Sequence, residues 1–341
     1  MKQSLLLLFS FSALLPAYAA DFVWQGVNYT VLDEAKKTCT TKAGTFEMSG
    51  NDVSGELVIP AAASDGAVEY KVVAVGEYSF ANNVGLTKVV LPNSIDEVGM
   101  CAFGRSALTA VDLGSSVRSI GVQAFGFCNS LSEVSVPASV EEMGDNPFVD
   151  CAQLKSVIVD AENEYFCSAD GVLYDKSKTR LLCYPIGKES KDFEIPSFVE
   201  TISAWAFDHS ALVSITVPAG VKKIEKCAFQ ACYDLEALTY WCVAPVAAER
   251  NVFSNPTYNS CTLYVAHDAA DAIAATMPWS QFANVQYKER PAGIVDVEAD
   301  AACPVLFYNI EGMRIDADRA TLPAGIYIRR QGSEVSKLLV R

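Results

Sequence analysis

The stretch VRSIGVQAFGFCNSLSEVSVP, residues 117–137, is one copy of a pattern that the chain repeats. A second copy, VEEMGDNPFVDCAQLKSVIV, occupies residues 140–159, and a third, VKKIEKCAFQACYDLEALTY, occupies residues 221–240. Apolar residues fall at matching places in all three segments. Because self-similarity at a fixed period is typical of stacked repeat architectures, the sequence predicts a solenoid.

Each repeat carries one phenylalanine on which the repeats align. The aligned residues are Phe80, Phe103, Phe125, Phe148, Phe207 and Phe229, with gaps of 23, 22, 23, 59 and 22 residues. An aliphatic residue or a methionine precedes each of them by five positions, and a segment resembling L-x-x-V-x-V follows it. A period of about 20–29 residues with this segment predicts a leucine-rich repeat. One unit is too small to bury its own apolar stripe, so neighbouring units must share a core.

The repeat also predicts local structure. Its L-x-x-V-x-V segment alternates like a strand, so stacked copies predict a parallel strand ladder with about 4.8 Å between strands. The return segment, residues 120–125 in the quoted copy, is too short for a full helix. We therefore expect a turn and a short 3₁₀ or helical stretch there. The predicted fold class is a β-rich repeat solenoid with a small C-terminal β-module.

Five parts make up the predicted domain organisation. They are a signal peptide (1–20), an N-terminal cap (21–56), the solenoid (57–288), a linker (289–303) and a small β-module (304–341). The long gap in the solenoid holds one degenerate unit and an insertion near 160–198, where DGVLYDKSKTRLLCYP predicts a hairpin. The module predicts a second hairpin, with its turn at residues 331–334.

The first twenty residues indicate export. Lys2 is followed by an apolar run and by Ala17-Tyr18-Ala19, a small-x-small cleavage pattern. No cysteine directly follows that site, and no later run of 18 apolar residues predicts a transmembrane helix in the mature chain. The expected location is secreted or cell-surface, without a lipoprotein anchor. The net charge of −15 argues against nucleic acid, which binds basic surfaces.

Eleven cysteines lie in the predicted mature region. In an exported protein they suggest disulfides, with one thiol left over. Five of them instead occupy fixed repeat positions: Cys101, Cys128, Cys151, Cys227 and Cys232. A buried cysteine packs as a small apolar residue, so we favour packing over disulfides for these five. Among them, Cys128 and Cys151 are the pair best placed to bridge, since they share a column in adjacent units.

The repeat unit resembles the BspA-like leucine-rich repeat of bacterial cell-surface proteins. The insertion, and the closing segment CTLYVAHDAADAIAATMPWSQF, are similar to segments common in that family in Bacteroides-type bacteria. The resemblance covers roughly residues 50–288 and implies an exported solenoid used in adhesion or protein–protein interaction, without implying a ligand. The last forty residues resemble C-terminal tails of exported Bacteroides-type proteins, including sorting domains of type IX secretion.

No catalytic, cofactor-binding or metal site is predicted. The chain has two histidines, His209 in a predicted surface turn and His267 before a short predicted helix, and neither lies in a recognisable catalytic motif. Acids in the insertion suggest a calcium loop, but their spacing fits turn residues better. These acids are Asp160, Glu162, Glu164, Asp170 and Asp175. The protein is therefore expected to be non-enzymatic.

The outward positions of the strand ladder form the candidate partner-binding face. Its predicted residues are Lys88, Val90, Asp112, Glu133, Ser135, Ser156, Ile158, Ser214, Thr216 and Thr239. Solenoids commonly bind partners on such a surface, although an ordinary solvated face has the same composition. The expected partner is a protein of host or neighbouring cells.

Two other roles remain open from the sequence. One is a glycan-binding accessory protein of the outer surface, which would require that Trp205, Trp241 and Trp279 be partly exposed. The other is a structural component of the envelope.

Overall fold

The computed structural model describes residues 21–242, 244–249 and 251–289, and the backbone of four strands nearer the C-terminus. The chain forms two compact units, Met1–Ala292 and Gly293–Arg341. The predicted signal peptide and residues 290–303 of the predicted linker lie outside the described residues.

Strands are the main regular secondary structure of the first unit. In chain order they are β1 (Asp21–Trp24), β2 (Val27–Asp33), β3 (Thr38–Thr41), β4 (Gly55–Val58), β5 (Ala62–Ser64), β6 (Glu69–Val75), β7 (Leu86–Val90), β8 (Glu97–Val98), β9 (Ala110–Asp112), β10 (Ser119–Ile120), β11 (Glu133–Val136), β12 (Glu142–Met143), β13 (Ser156–Val159), β14 (Phe166–Ala169), β15 (Val172–Asp175), β16 (Arg180–Cys183), β17 (Asp192–Glu194), β18 (Thr201–Ile202), β19 (Ser214–Val217), β20 (Lys223–Ile224), β21 (Ala237–Tyr240), β22 (Ala247–Ala248), β23 (Thr262–Ala266) and β24 (Asn284–Lys288).

The L-x-x-V-x-V segments form the main ladder of parallel strands. It has three hydrogen-bonded parts: β4–β7–β9, β11–β13 and β17–β19–β21–β23–β24. Equivalent residues of successive coils lie opposite one another, as Val134 does with Val157 and Ile215 with Leu238. Leu131, Val134 and Val136 are buried and alternate with exposed residues, as a half-buried strand requires. The predicted β-rich solenoid is confirmed.

A second parallel ladder runs through the returns, and the sequence did not predict it. Its strands pair in the orders β6–β8–β10–β12 and β16–β18–β20–β22, and all of them except β6 and β16 are two residues long. The aliphatic residue five positions before each phenylalanine lies in this ladder; Ile120, for example, is opposite both Val98 and Met143. Each coil is thus held to its neighbours along two lines of hydrogen bonds.

Tight turns surround the repeated phenylalanine. The residues two positions before and two positions after it have positive φ angles in every aligned repeat, for example Gln123 (52°) and Phe127 (62°). Residues with a left-handed backbone conformation interrupt a run of helical φ values. The return in the repeats therefore consists of turns, where a short helical stretch was expected. The described helices, α1 (Asn255–Ser260) and α2 (Ala270–Ala274), and two 3₁₀ segments lie in the closing coils.

The repeated phenylalanines stack into an aromatic column. The ring centroids of Phe103 and Phe125 are 5.3 Å apart and the rings are almost parallel, and both side chains are wholly buried. The column continues from Phe207 to Phe229 at 5.1 Å. Tyr184 stacks on Phe207 at 5.3 Å, so this tyrosine supplies the ring of the degenerate coil. Such pairs contribute about 0.5–1.5 kcal/mol each beyond the burial of their area.

The insertion separates two hydrophobic cores and belongs to both. Strands β14, β15 and β16 form an antiparallel meander, and β16 continues in parallel with β18 of the second ladder. Leu173 and Cys183 pack into the core that precedes the insertion, whereas Val172, Tyr174 and Leu181 pack into the core that follows it. Neighbouring strand residues point to opposite faces, so one small sheet closes both cores.

A column of small polar groups lies beside the aromatic rings, three positions after each phenylalanine. The thiols of Cys128, Cys151 and Cys232 donate hydrogen bonds to the backbone oxygen of the phenylalanine one coil earlier, over 3.2, 3.1 and 3.0 Å. Ser106 and Ser210 occupy the same column. None of the ten described cysteines forms a disulfide. Cys303 lies outside the described residues.

The second unit contains an antiparallel sheet. Its strands are β25 (Leu306–Tyr308), β26 (Arg314–Ile315), β27 (Gly325–Gln331) and β28 (Glu334–Val340), in the order β26–β25–β27–β28. Strands β27 and β28 pair along their full length, from Gly325 opposite Val340 to Gln331 opposite Glu334. A sorting role for this unit stays a prediction.

Candidate functional site

The structure places the ten predicted binding residues on the outward side of the main ladder, which we call the ladder face. Three pairs of neighbouring strands carry them. The registers are Lys88 with Ala110 and Val90 with Asp112, Glu133 with Ser156 and Ser135 with Ile158, and Ser214 with Ala237 and Thr216 with Thr239. All ten side chains are exposed or half-buried, so both columns of outward residues are accessible to solvent.

The ladder face is not continuous. Strand β9 lies beside β11 without ladder pairing, and the insertion follows β13. The backbone N–H of Val157 donates to the oxygen of Gly171 in the insertion over 2.9 Å. Ser156 and Ile158 therefore belong to a different hydrogen-bonded patch from Ser214 and Thr216. The sequence predicted one face, and the structure divides it.

Short polar side chains and a few charges cover the ladder face. Lys88 forms an ion pair with Glu56 of the preceding strand over 2.9 Å. The Asp112 carboxylate accepts a hydrogen bond from the N–H of Gly114 over 2.9 Å. Ile158 is 44% exposed and is a large apolar side chain on this face. Buried residues such as Val134 and Val157 alternate with these outward positions, so the face lies directly over the core.

A depression of about 710 Å³ lies near the C-terminal end of the ladder face, and we call it the terminal depression. Its lining residues are Val213, Tyr233, Asp234, Leu235, Glu236, Ala237, Ser260, Thr262 and Tyr264. Ala237 and Thr262 are opposite each other on β21 and β23, and Tyr264 is opposite the predicted face residue Thr239. The depression therefore continues the predicted surface by one coil.

Tyr233 projects from a turn at the start of its coil. Its N–H donates to the oxygen of Ala231 over 2.9 Å, where Ala231 has a φ of 53°. The Tyr233 side chain is 62% exposed. Four of the five other aligned repeats carry alanine or asparagine at this position: Ala107, Asn129, Ala152 and Ala211. An aromatic residue where small residues are usual is the sequence pattern that could have identified this site.

Tyr264 forms a cation–π contact on the other side of the terminal depression. Strand β24 pairs with β23 and brings the Lys288 ammonium within 3.5 Å of the Tyr264 ring centroid. Such a contact contributes about 0.5–1 kcal/mol at exposed sites. The ring thus interacts with a cation within the protein itself.

The two acids of the terminal depression resemble most exposed acids among the described residues in having no ion-pair partner. Asp234 and Glu236 are exposed, and neither forms an ion pair with any residue that the structure describes. Elsewhere, Glu225 pairs with Arg180 and Lys223, and Glu200 pairs with Lys222. The depression therefore presents two exposed carboxylates that form no ion pair with a described residue, while the Lys288 ammonium lies at Tyr264 of the same lining.

The predicted turn residues and histidines have structural contacts. Asp160 accepts from the N–H of Glu162 over 2.9 Å, and Asp175 accepts from the N–H of Arg180 over 2.8 Å, as turn acids do. His209 lies 2.9 Å from Asp208, and His267 stacks on Tyr287. Among the described residues, no group of three or more histidines, cysteines or acids is arranged to hold a metal ion.

The tryptophans do not form an exposed aromatic surface. Trp279 is wholly buried and Trp241 is 8% exposed, whereas Trp205 is half-buried. Trp279 packs on Tyr240 and Phe253 of the second core. Two of the three rings that a sugar site would have required are therefore part of the core.

The fold defines a leucine-rich repeat protein, and comparison with known families agrees. A family model described as the BspA type leucine rich repeat region matches six copies over residues 65–169 and 187–263, more than half of the chain. The chain belongs to this family. The unmatched residues between the two stretches contain the hairpin strands β15 and β16.

Three solved structures are similar to the chain. A leucine-rich repeat protein from Eubacterium ventriosum is 16% identical, with 78% of this chain and 85% of that chain covered and a TM-score of 0.46. One from Bacteroides ovatus is 19% identical, with coverages of 79% and 77% and a TM-score of 0.45. A leucine rich cell surface protein from Faecalibacterium prausnitzii is 18% identical, with coverages of 80% and 95% and a TM-score of 0.43.

No curated protein matches the sequence. In the part of the chain that the structure describes, no helix has the length and apolar character needed to cross a membrane.

Proposed function

We propose that this protein is a non-catalytic, exported binding protein that recognises a protein partner through the ladder face. The observation that carries the proposal is the set of outward columns on β7, β9, β11, β13, β19 and β21, held in register over a buried core. Because the backbone there is already ordered, binding costs little conformational entropy. The BspA-type repeat supports a role in protein interaction.

Export and display at the cell surface are part of the proposal. They rest on the pattern of the first twenty residues, Lys2 followed by an apolar run and a small-x-small site. A partner on host or neighbouring cells would be within reach of a protein displayed in this way. Adhesion is the role that this arrangement favours.

A binding screen tests the proposal. The purified protein is passed over immobilised matrix proteins and glycans, next to the double variant Asp112→Lys/Glu133→Lys. Both residues are exposed on the ladder face. The matched control is Glu97→Lys/Glu142→Lys, which makes the same charge change at exposed positions of the second ladder.

The proposal predicts saturable binding to a protein, lost in the ladder-face variant and retained in the control variant. Equal loss in both variants would exclude specific recognition by this face. Binding to a glycan alone would favour the glycan-binding alternative, and no binding to either panel would favour a structural role in the envelope.

A further inference from the structure

The geometry points to a second binding surface, separate from the ladder face, that receives a carboxylate from an acidic and partly apolar segment of a protein partner. This surface is a narrow groove in the turns beside the aromatic column, and we call it the turn groove. Phe46, Tyr78, Gly104, Arg105, Gln123 and Phe127 are among its lining residues. Because the groove lies outside the ladder face, the inference goes beyond the proposed function and has its own test.

Two aromatic rings contact the guanidinium of Arg105 in the turn groove. The guanidinium carbon lies 4.7 Å from the ring centroid of Phe46 and 5.1 Å from that of Phe127. Such contacts contribute about 0.5–1 kcal/mol each at exposed sites. They also restrict a long side chain that would otherwise lose conformational freedom when a ligand binds. The charged group is therefore already positioned before binding.

The guanidinium of Arg105 has no acceptor among the residues that the structure describes. It forms no ion pair or hydrogen bond with them, whereas the other two described arginine side chains, Arg118 and Arg180, pair with Glu141 and Glu225. A guanidinium can stack on a ring and still present its fork of N–H donors. A carboxylate accepts two parallel hydrogen bonds from that fork. Charge complementarity thus favours a carboxylate ligand.

The N-terminal cap contributes the exposed ring of the turn groove. The N–H of Thr45 donates to the oxygen of Met48 over 2.7 Å, and Nδ2 of Asn82 donates to the oxygen of Phe46 over 3.0 Å. These bonds fix the turn that carries Phe46, whose ring stays mostly exposed. Arginine and large aromatic residues are the side chains on which protein interfaces most often depend. Their combination favours a segment with an apolar residue next to an acidic one.

A small residue keeps the turn groove open. Gly104 follows the repeated phenylalanine directly, and Val149, Asp208 and Gln230 hold the same position in later repeats. The backbone does not require this glycine, because its φ lies outside the left-handed region. An added Cβ would be 3.4 Å from its nearest neighbour, the oxygen of Cys101, which is an ordinary contact. A side chain as large as valine would narrow the groove, so glycine here preserves space for a ligand.

The size of the turn groove favours a protein over a sugar. Its free volume is about 30 Å³, which holds one or two groups of the size of water. A sugar ring is too large to enter, since pockets for small molecules are roughly ten times larger or more. The tip of one amino acid side chain fits. The partner segment therefore places a side-chain tip in the groove and a carboxylate on Arg105.

Fluorescence anisotropy on the full protein tests the inference with a fluorescein-labelled, C-terminally amidated hexapeptide of alternating glutamate and leucine. A second peptide with glutamine in place of glutamate lacks the carboxylates. The test variant is Arg105→Gln, and the matched control is Arg118→Gln, the same charge change at another exposed arginine. A third variant, Gly104→Val, fills the groove and leaves Arg105 in place. Circular dichroism checks that each variant is folded.

We expect the acidic peptide to bind more tightly than the neutral one, although the net charge of −15 opposes it. Arg105→Gln should weaken this binding about tenfold, Gly104→Val about fivefold, and Arg118→Gln less than about twofold. The same loss in Arg105→Gln and Arg118→Gln would overturn the inference, as would equal affinity for the two peptides or no binding of either.

Other occupants of the turn groove give different results. Tighter binding of a hyaluronan tetrasaccharide than of the acidic peptide would overturn the inference in favour of an acidic sugar. Dimers of the wild type that are absent from Arg105→Gln in sedimentation velocity would overturn it in favour of a second copy of this chain.

The outcome is separable from that of the proposed function. Peptide binding that is lost in Arg105→Gln and retained in Asp112→Lys/Glu133→Lys would support the inference even if the screen finds no partner for the ladder face. Peptide binding that is lost in the ladder-face variant and retained in Arg105→Gln would overturn the inference and leave the proposed function standing.

Discussion

Asp208 is a nearly inaccessible carboxylate in the position after the aromatic column, where most other repeats carry glycine, alanine or valine. One of its oxygens accepts no hydrogen bond from the described residues, while the other lies 2.9 Å from Nδ1 of His209. Burial raises the Asp208 pKa to about 6, although the hydrogen bond and charge of His209 act in the opposite direction. Nearby Asp150 reinforces the increase in the pKa.

This carboxylate should make stability depend on pH. The pKa of Asp208 is higher in the folded chain than in the unfolded chain, so protonation favours folding. Its contribution is fully present below pH about 4 and is lost as the pH rises through about 6. Asp208→Asn should therefore raise the free energy of unfolding by about 1–2 kcal/mol at pH 7.5 and leave it unchanged at pH 4.

Denaturant unfolding of both proteins at several pH values measures this difference. Asp234→Asn, at an exposed position, serves as the control and should not alter the pH dependence. A constant difference between Asp208→Asn and the wild type from pH 4 to pH 7.5 would show that burial of the charge is not its cause.

The aromatic column should carry a large share of the stability. Phe125 is wholly buried between Phe103 and Phe148, with ring centroids at 5.3 and 5.8 Å. Phe125→Ala should lower the free energy of unfolding by about 3–5 kcal/mol, because it creates a cavity and removes two ring contacts. Phe46→Ala, where the ring is 61% exposed, should cost under about 1 kcal/mol. Similar losses in the two variants would contradict a stabilising column.

At the scale of elements, the insertion is a two-sided sheet and not an appended loop. Val172 and Leu173 are adjacent in β15, and both are almost wholly buried. Val172 packs into the core of the later coils and Leu173 into that of the earlier coils. A strand buried on both faces has a continuous apolar run, which explains why the pattern here loses the alternation of the repeats.

Adjacent substitutions in β15 should therefore loosen different halves of the first unit. We expect Leu173→Ala to increase hydrogen exchange mainly in β11 and β13, and Val172→Ala to increase it mainly in β18 and β19. Each variant should lose about 2–4 kcal/mol of local stability, since a buried side chain is truncated. Hydrogen exchange followed by mass spectrometry gives the two profiles. Identical profiles would show that the cores behave as one cooperative unit.

Sequence reasoning succeeded where each coil buries the same position. The regular spacing of Phe103 and Phe125 reflects a position that is buried in every coil, and it predicts the aligned phenylalanines. The alternation around Val134 reflects a half-buried strand, and it predicts the main ladder. The second ladder escaped prediction because a two-residue strand such as β10 has no detectable period. Tyr184 escaped because it follows its aliphatic partner, Leu181, by three residues and not by five.

The candidate site was predictable only in part. The registers of Glu133 and Ser135 follow from the repeat, so the alignment of outward positions in β11 and β13 could be predicted from the sequence. The terminal depression depends on the closing coil, where α1 precedes β23 and its last residue, Ser260, belongs to the lining. The shape of the depression arises from contacts between coils, so it cannot be predicted from the sequence of a single repeat.

At the scale of the whole molecule, stability comes from columns shared between coils. Most of the described ion pairs have at least one partner with substantial exposure, as Lys88 and Glu56 do, and such pairs contribute little. The buried aromatic, aliphatic and thiol columns instead pass from one coil to the next. The stability of a repeat protein is approximately the sum of the stabilities of its repeats and of the interfaces between neighbouring repeats. The buried cysteines contribute to these interfaces.

The thiols should therefore report on the integrity of that array. Burial raises the pKa of Cys128 to about 11 and that of Cys183 and Cys232 to about 12, and only the thiolate is reactive. Among the ten described cysteines, iodoacetamide should label the native protein slowly, beginning with the half-buried Cys101 and Cys167. After unfolding without reductant, all ten described cysteines should be labelled.

Mass spectrometry of the labelled peptides distinguishes packing from covalent bonding. Cys128 and Cys151 share a column in adjacent coils, and each thiol donates to a backbone oxygen one coil earlier. If their peptides gain the label on unfolding alone, these hydrogen bonds and the surrounding burial protect them in the native protein. If both peptides gain it only after reduction, a disulfide links the two coils, and the resistance of this region to unfolding would then depend on the redox state of its surroundings.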